Sequence, residues 1–349
     1  MPIDNHEHIV TLSEGDTPLI KASALSSELG VKTFVKDETR NPTASFKDRP
    51  NSVALSRALE LGAKTVAVAS SGNAAGSLSA YAAKAKVPCV VAVPEDTPDS
   101  KLGQIVVFGS RVVKVRGTYS DAFTLIKEAC KTHGWHNLTS VASANPYQLE
   151  GDKTAAYEIC QQLSWKAPNW VAIPLGAGPL LVGAWKGFKE LHELGVIGAL
   201  PKMIGVQAEG CSPIVRAFKN GSSAVSPWQK PDTVAHSIAD PLNGYPDDGS
   251  LTLKNIRESH GIAESVTDEE MLESVRLLAG TEGLFAEPSA AATIAVIKKL
   301  KSSGRIDSDD TVVPVVTGTG LKSIATVNVQ NVPQVEAGDI QSLAKITHT

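Results

Sequence analysis

Cysteine is scarce and scattered in this chain. The four in 349 residues (Cys89, Cys130, Cys160 and Cys211) form no C-x-x-C pair, which argues against a zinc knuckle or a disulfide framework and fits a reducing compartment. Net charge is only −4, with no basic stripe interleaved with aromatics, so no nucleic-acid partner is expected. No apolar run approaches the length of a bilayer span, so no membrane is expected either. The opening MPIDNHEHIV is polar and acidic and does not read as a secretory signal. The expected location is therefore cytoplasmic. His133 and His136 lack a metal-pair pattern, and no metal is expected.

What the chain has is alternation. KTFVKDE, TVAVASS, VPCVVAVP, RVVKVRG, WVAIPLG, KMIGVQAEG and TVVPVVTG read as buried strands, being short, apolar and β-branched. Between them lie helix patterns: SVALSRALELG, NAAGSLSAYAAKAK, SDAFTLIKEACKTHG, LEGDKTAAYEICQQL, LLVGAWKGFKELHELG and SAAATIAVIKKL. TDEEMLESVRLLAGTEG opens with a Thr267–Glu270 capping box. Strand–helix alternation over this length means an α/β protein with largely parallel sheets. The longest irregular stretch, about 221–248, reads as a surface excursion over a site.

Ligands gather at the carboxyl ends of parallel strands, so three strand-to-helix turns matter. SSGNAAGS (70–77) offers close backbone approach, free helix N–H groups and the Asn73 amide. PLGAGPLLVG (174–183) has Gly176 and Gly178 for a cradle of backbone N–H groups, but Leu181 stands where a dinucleotide fingerprint needs its third glycine. VTGTGLK (316–322) puts the Thr317 hydroxyl at a strand end. Taken alone, each also reads as a tight or capped connection with no ligand. The fourth feature is NPTASFKDRP (41–50), where Pro42 and three short residues make a turn and Phe46 offers an anchor beside Lys47. An amine, a phosphate cradle and a neutral hydroxyl together are what a pyridoxal phosphate enzyme needs.

These motifs, with GDTPLI, ANPYQLEGDKT, GVQAEG and EPSAAA, resemble threonine synthase, in the tryptophan-synthase-β group of fold type II pyridoxal phosphate enzymes. The resemblance runs in order along nearly the whole chain, and N-P-T-x-S-F-K-D-R is its most specific part. It implies two open twisted α/β domains with the cofactor in the cleft between them, the smaller at 49–145 and the larger at 1–48 plus 146–349. It also implies that Lys47 forms the Schiff base and serves as acid and base, and that Asn73 bonds the ring hydroxyl. Gly176, Ala177, Gly178, Pro179 and Leu180 would hold the cofactor phosphate, and Thr317 would face the ring nitrogen. Ser70, Ser71 and Asn73 would bind the substrate carboxylate, with Gln148 and Lys36 as further substrate contacts. The implied reaction takes O-phosphohomoserine to threonine and phosphate by elimination and water addition, and a homodimer is expected.

Departures from the family pattern fall around the substrate. Gln148 stands where an arginine usually grips the substrate phosphate, and a neutral amide cannot replace that charged fork. GAGPL replaces G-N-x-G-N, Thr319 replaces a histidine, and Ala44 replaces a glycine. The alternative is the same scaffold acting on another small amino acid, phosphorylated or not: a serine, threonine or diaminopropionate ammonia-lyase, or a cysteate-synthase-like enzyme on phosphoserine.

Overall fold

The computed structural model describes residues 2–326, together with positions 332, 334, 336 and 337. Among the described residues ten strands form two sheets: β1 Leu19–Lys21, β2 Lys32–Asp37, β3 Val66–Ala69, β4 Cys89–Pro94, β5 Arg111–Val115, β6 His136–Asn137, β7 Trp170–Pro174, β8 Lys202–Ala208, β9 Ile262–Val266 and β10 Thr311–Val316. The larger sheet has the order β1-β2-β10-β7-β8-β9 and the smaller β5-β4-β3-β6. Every pairing of these strands is parallel except β1 with β2. This is the expected α/β architecture, with helices following the strands and covering the sheets.

Burial follows position in the sheet. All five residues of central β7 are buried, as a strand covered on both faces requires. β5 corrects one expectation: RVVKV looks like a core strand, but it forms a sheet edge and is largely exposed or half-exposed, because it pairs only with β4. Pro314 lies inside central β10, and the pairing of β10 with β2 skips Val313 and Pro314, consistent with the missing N–H. LEGDKTAAYEICQQL is two helices meeting at Lys153, Gln148–Asp152 and Thr154–Gln162, where the sequence reads as one.

The sheet geometry gathers the motifs. In the larger sheet Val316 lies beside Asp37, and Pro174 beside Val206, so the turns after β2, β10 and β7 open on one edge. In the smaller sheet Ala69 lies beside Ala92, and the turn bearing Asn73 opens at its carboxyl end. Ser140 follows β6 at the same end, where the Thr139 hydroxyl accepts the Ala69 N–H at 3.1 Å.

Candidate active site

Lys47 is the N-cap of the 13-residue helix Asp48–Glu60, and the loop before it is bolted down. Asp48 accepts from the Thr43 N–H (2.7 Å), the Thr43 hydroxyl (2.6 Å) and the Ser77 hydroxyl (2.6 Å). Phe46 N–H donates to the Thr317 carbonyl at 3.0 Å, and Thr319 N–H donates to the Ala44 carbonyl at 3.2 Å. Ala44 has φ +60°, the left-handed conformation that favours glycine. The Phe46 ring packs against the main core, and the Lys47 amine lies 4.5 Å from its centroid. Lys47 is therefore fixed in space, as the sequence suggested.

Its amine meets a polar wall. Lys47 Nζ donates to Ser140 Oγ at 2.7 Å, and Ser140 Oγ donates to Gln148 Oε1 at 2.9 Å. Gln148 is only 1% exposed, yet its Nε2 has no hydrogen-bond partner among the described residues. One turn on, Asp152 is fully buried with both carboxylate oxygens unpartnered there. Ser45 Oγ and Asn145 Oδ1 are buried and unpartnered as well. Buried polar groups are normally satisfied, so the unpartnered Gln148 amide, joined through Ser140 to the Lys47 amine, marks a place built for a polar ligand.

Burial pushes the Lys47 amine below the usual lysine range, and the Asp152 and Asp240 carboxylates pull the other way. The helix N-terminus works in the same direction as burial. Asp152 is pushed up by burial to about 7, against the Lys47 and Arg49 cations. Asp240 is also pushed up by burial, despite hydrogen bonds from Leu242 N–H and the Tyr245 hydroxyl. Amine and acids are thus both shifted toward neutrality, as proton-transfer groups require.

The glycine turn after β7 fits a phosphate. Gly178, at φ +93°, caps the 15-residue helix Pro179–Glu193, and a Cβ there would collide with Thr252. The Thr252 hydroxyl fixes the turn by donating to the Ala177 carbonyl at 2.6 Å. The helix start offers backbone N–H groups to an anion, less the one Pro179 lacks. Asp240 packs against Gly176, where a Cβ would come within 3.2 Å of its own Cβ. The excursion at 221–248 therefore does reach the site.

The remaining candidates divide. Thr317 is buried directly beyond β10, its backbone joined to the Lys47 loop. Asn73 starts the helix Asn73–Ala85; its amide faces Glu287 at 3.3 and 3.4 Å, and its Oδ1 accepts from Lys322 at 2.9 Å. Ser70 and Ser71 lie half-buried at the end of β3, where Ser70 Oγ accepts the Gly72 N–H at 3.2 Å. Lys36 is corrected. It is fully buried, and its amine is consumed by the Thr17 carbonyl (2.6 Å), Glu158 (2.7 Å) and Gln162 (3.0 Å). The Arg49 fork is likewise consumed by Glu38 and Glu158, and Lys153 by Glu150 and Glu190. Sequence reading assigned no role to Ser140, Asp152, Asp240 or Lys322. Only Asp152 left a signal, four residues after Gln148 and so on its face of the helix.

Residues 10–318 match the model of the pyridoxal-phosphate dependent enzyme family. The chain is 43% identical over 324 residues to threonine synthase of Methanocaldococcus jannaschii, covering 92% of this chain and 78% of that one. It is 44% identical over 320 residues to threonine synthase of Methanosarcina acetivorans, covering 91% and 78%. Among solved structures, serine racemase from Dictyostelium discoideum superposes with a TM-score of 0.73 at 26% identity, covering 87% of this chain and 92% of that one.

Proposed function

The chain belongs to the pyridoxal-phosphate-dependent enzyme family, and we propose that it is a lyase of the threonine synthase type that expels a side-chain substituent from a small amino acid. The observation that carries this is the fixed Lys47 amine, hydrogen-bonded to Ser140 and through it joined to Gln148, with burial favouring its neutral form. Pyridoxal phosphate bound here supplies an electron sink that makes the α-proton of an amino acid removable. Lys47 anchors the cofactor, takes that proton and returns it. The turn from Gly176 to Leu180 would hold the cofactor phosphate, Thr317 would give the ring nitrogen a neutral partner, and Asn73 would bind the ring hydroxyl. The helix start at Ser70–Asn73 orients the substrate carboxylate.

Two substrate readings remain within this function. O-phosphohomoserine, giving threonine and phosphate, draws its support from the relatives at 43% and 44% identity. A substrate without phosphate draws its support from the site, where Gln148 presents a neutral amide in place of a guanidinium and Lys36, Arg49 and Lys153 are held by acidic partners. The geometry favours the second. The deciding experiment offers O-phosphohomoserine to the holoenzyme and follows phosphate release with the amino acid product. Stoichiometric threonine and phosphate establish the first reading, and ketoacid or ammonia from unphosphorylated amino acids establishes the second. Borohydride reduction followed by peptide mapping locates the cofactor; label anywhere but Lys47 refutes both.

A further inference from the structure

The Ser140 hydroxyl sits between the Lys47 amine and the Gln148 side chain, at 2.7 and 2.9 Å. A hydroxyl carries one proton and two lone pairs, whereas an amide carbonyl oxygen can only accept. The Ser140 proton is therefore committed to Gln148 Oε1, and what Ser140 offers Lys47 is a lone pair. Among the described residues, Lys47 Nζ has no other hydrogen-bond partner and Gln148 Oε1 no other donor. The three residues come from separate elements, and each is held. Ser140 follows Thr139, whose hydroxyl accepts from Ala69 N–H at 3.1 Å and whose own N–H donates to Asn137 Oδ1 at 2.9 Å. Val141 N–H donates to the Thr139 carbonyl at 2.7 Å, closing the loop around Ser140. Gln148 opens a helix that lies directly on the start of the Lys47 helix. A Cβ at Gly151 would collide with the Arg49 carbonyl and stand 2.7 Å from Pro50 Cα, so the amide and the amine are kept at a fixed separation.

We propose that Ser140 is a positioning residue for the base: its hydroxyl, polarised by the Gln148 carbonyl, orients the free Lys47 amine and holds the proton that the amine takes from the substrate. This rests on the lyase reading above and deepens it. Lys47 is a free amine only while the substrate has displaced it from the cofactor, and that is when it meets the α-proton. Accepting one N–H leaves the amine's own lone pair pointing away from Ser140, free to take a proton. Once the proton has arrived, the same contact becomes a charge-assisted hydrogen bond and strengthens. It thus favours the ammonium, against burial, which disfavours it. The proton moves from the α-carbon to Lys47 Nζ and back, while Ser140 keeps its own proton on Gln148 throughout. Gln148 accordingly acts through Ser140 at its carbonyl end, and its unpartnered Nε2 is a donor.

The test first reads the Lys47 amine in the protein without cofactor. Trace acetylation by acetic anhydride strikes only a neutral amine. The pH at half-maximal rate, followed by peptide mapping, therefore reports how tightly Lys47 holds a proton. Ser140→Ala is expected to lower that midpoint by about one pH unit or more. Gln148→Met, close in volume but without the acceptor, should lower it as well. Ser140→Thr keeps the hydroxyl and should keep the parent's midpoint, a rescue that a merely structural role would not give. Asp152 and Asp240 act on Lys47 electrostatically, and Asp48 and Arg49 follow it in its own helix. All four are the same in every variant, so a shift belongs to the hydroxyl. On the holoenzyme, exchange of the α-hydrogen of L-2-aminobutyrate in deuterium oxide needs no leaving group. Its maximal rate should fall at least about tenfold in Ser140→Ala, with the half-saturating concentration little changed. The double variant should lose no more than the larger single loss, because the two side chains act as one unit. An unmoved midpoint in Ser140→Ala, or additive losses in the double variant, overturns the inference and leaves the lyase reading intact. A protein in which borohydride fixes no cofactor on Lys47 overturns both.

Discussion

Asn73 bridges a half-buried ammonium and a buried carboxylate: its Oδ1 accepts from Lys322 at 2.9 Å while its amide faces the two oxygens of Glu287 at 3.3 and 3.4 Å. Burial pushes Lys322 down and Glu287 up, and each opposes the shift of the other. The three residues join the turn after β3, the loop before the helix Pro288–Ser302 and the turn after β10. Lys322 also donates to the Thr43 carbonyl at 2.5 Å, which carries the bridge to the Lys47 loop.

Removing one charge from that bridge strands the other. Lys322→Met is expected to cost about 1–2 kcal/mol of stability in urea unfolding, less than a fully buried pair because Lys322 is half-buried and reaches Glu287 through Asn73. Adding Glu287→Gln should recover more than half of the loss. Additive costs in the double variant would show that the two charges are not coupled.

Asp152 makes stability depend on pH in an unusual direction. Its folded pKa of about 7 lies above the ordinary 3.8, so ionising it costs more in the folded chain than in the unfolded one. Its contribution is complete below about pH 4 and is lost as pH rises through about 7. Asp152→Asn removes that penalty. The variant should be more stable than the parent at pH 8 by about 2–4 kcal/mol, and the difference should vanish near pH 4. Denaturant midpoints at the two pH values decide the matter, and a variant less stable at pH 8 would contradict an unpaired carboxylate.

Glu158 acts in the opposite sense. Burial pushes it up, but Arg49 and Lys36 outweigh burial and hold it at about 2, below the ordinary 4.5. This depressed acid stabilises the fold above about pH 4.5, and the contribution disappears as pH falls toward 2. Glu158→Gln should therefore flatten the acid limb of the stability curve between those values. It should also lower stability at pH 7 by about 3 kcal/mol, because Lys36 and Arg49 lose a shared partner. An unchanged acid limb would locate the acid sensitivity elsewhere.

Gly178 is the position where the cradle depends on glycine. Its φ of +93° and the collision a Cβ would make with Thr252 should make Gly178→Ala cost about 2–4 kcal/mol. The same change moves Ala177 and the helix start, so pyridoxal phosphate should bind more weakly as well. Thermal unfolding with and without added cofactor separates the two effects. Full cofactor affinity in a destabilised variant would mean that the turn does not hold the phosphate.

Local chemistry was readable from the sequence because it is local. Continuous β-branched runs specify strands, although burial is set by their neighbours, as β5 shows, and the Thr267–Glu270 capping box forms as written, with reciprocal bonds of 2.7 and 3.1 Å. The turn around Lys47 was legible for the same reason, since Pro42, Phe46 and Asp48 act within a few residues of the amine. Side-chain partnership was decided only by the tertiary structure. Lys36, within strand β2, and Lys47, eleven residues on at a helix start, are both held lysines, yet Glu158, 122 residues away, claims one, while Ser140, 93 residues away, meets the other. Which edge β5 occupies, which carboxylates stay unpaired and which cations are already spent are set by packing between distant segments. The sequence determined where an amine would be held; the fold determined what it meets, because long-range pairing set Ser140 and Gln148 against Lys47 and spent Lys36 and Arg49 on Glu158.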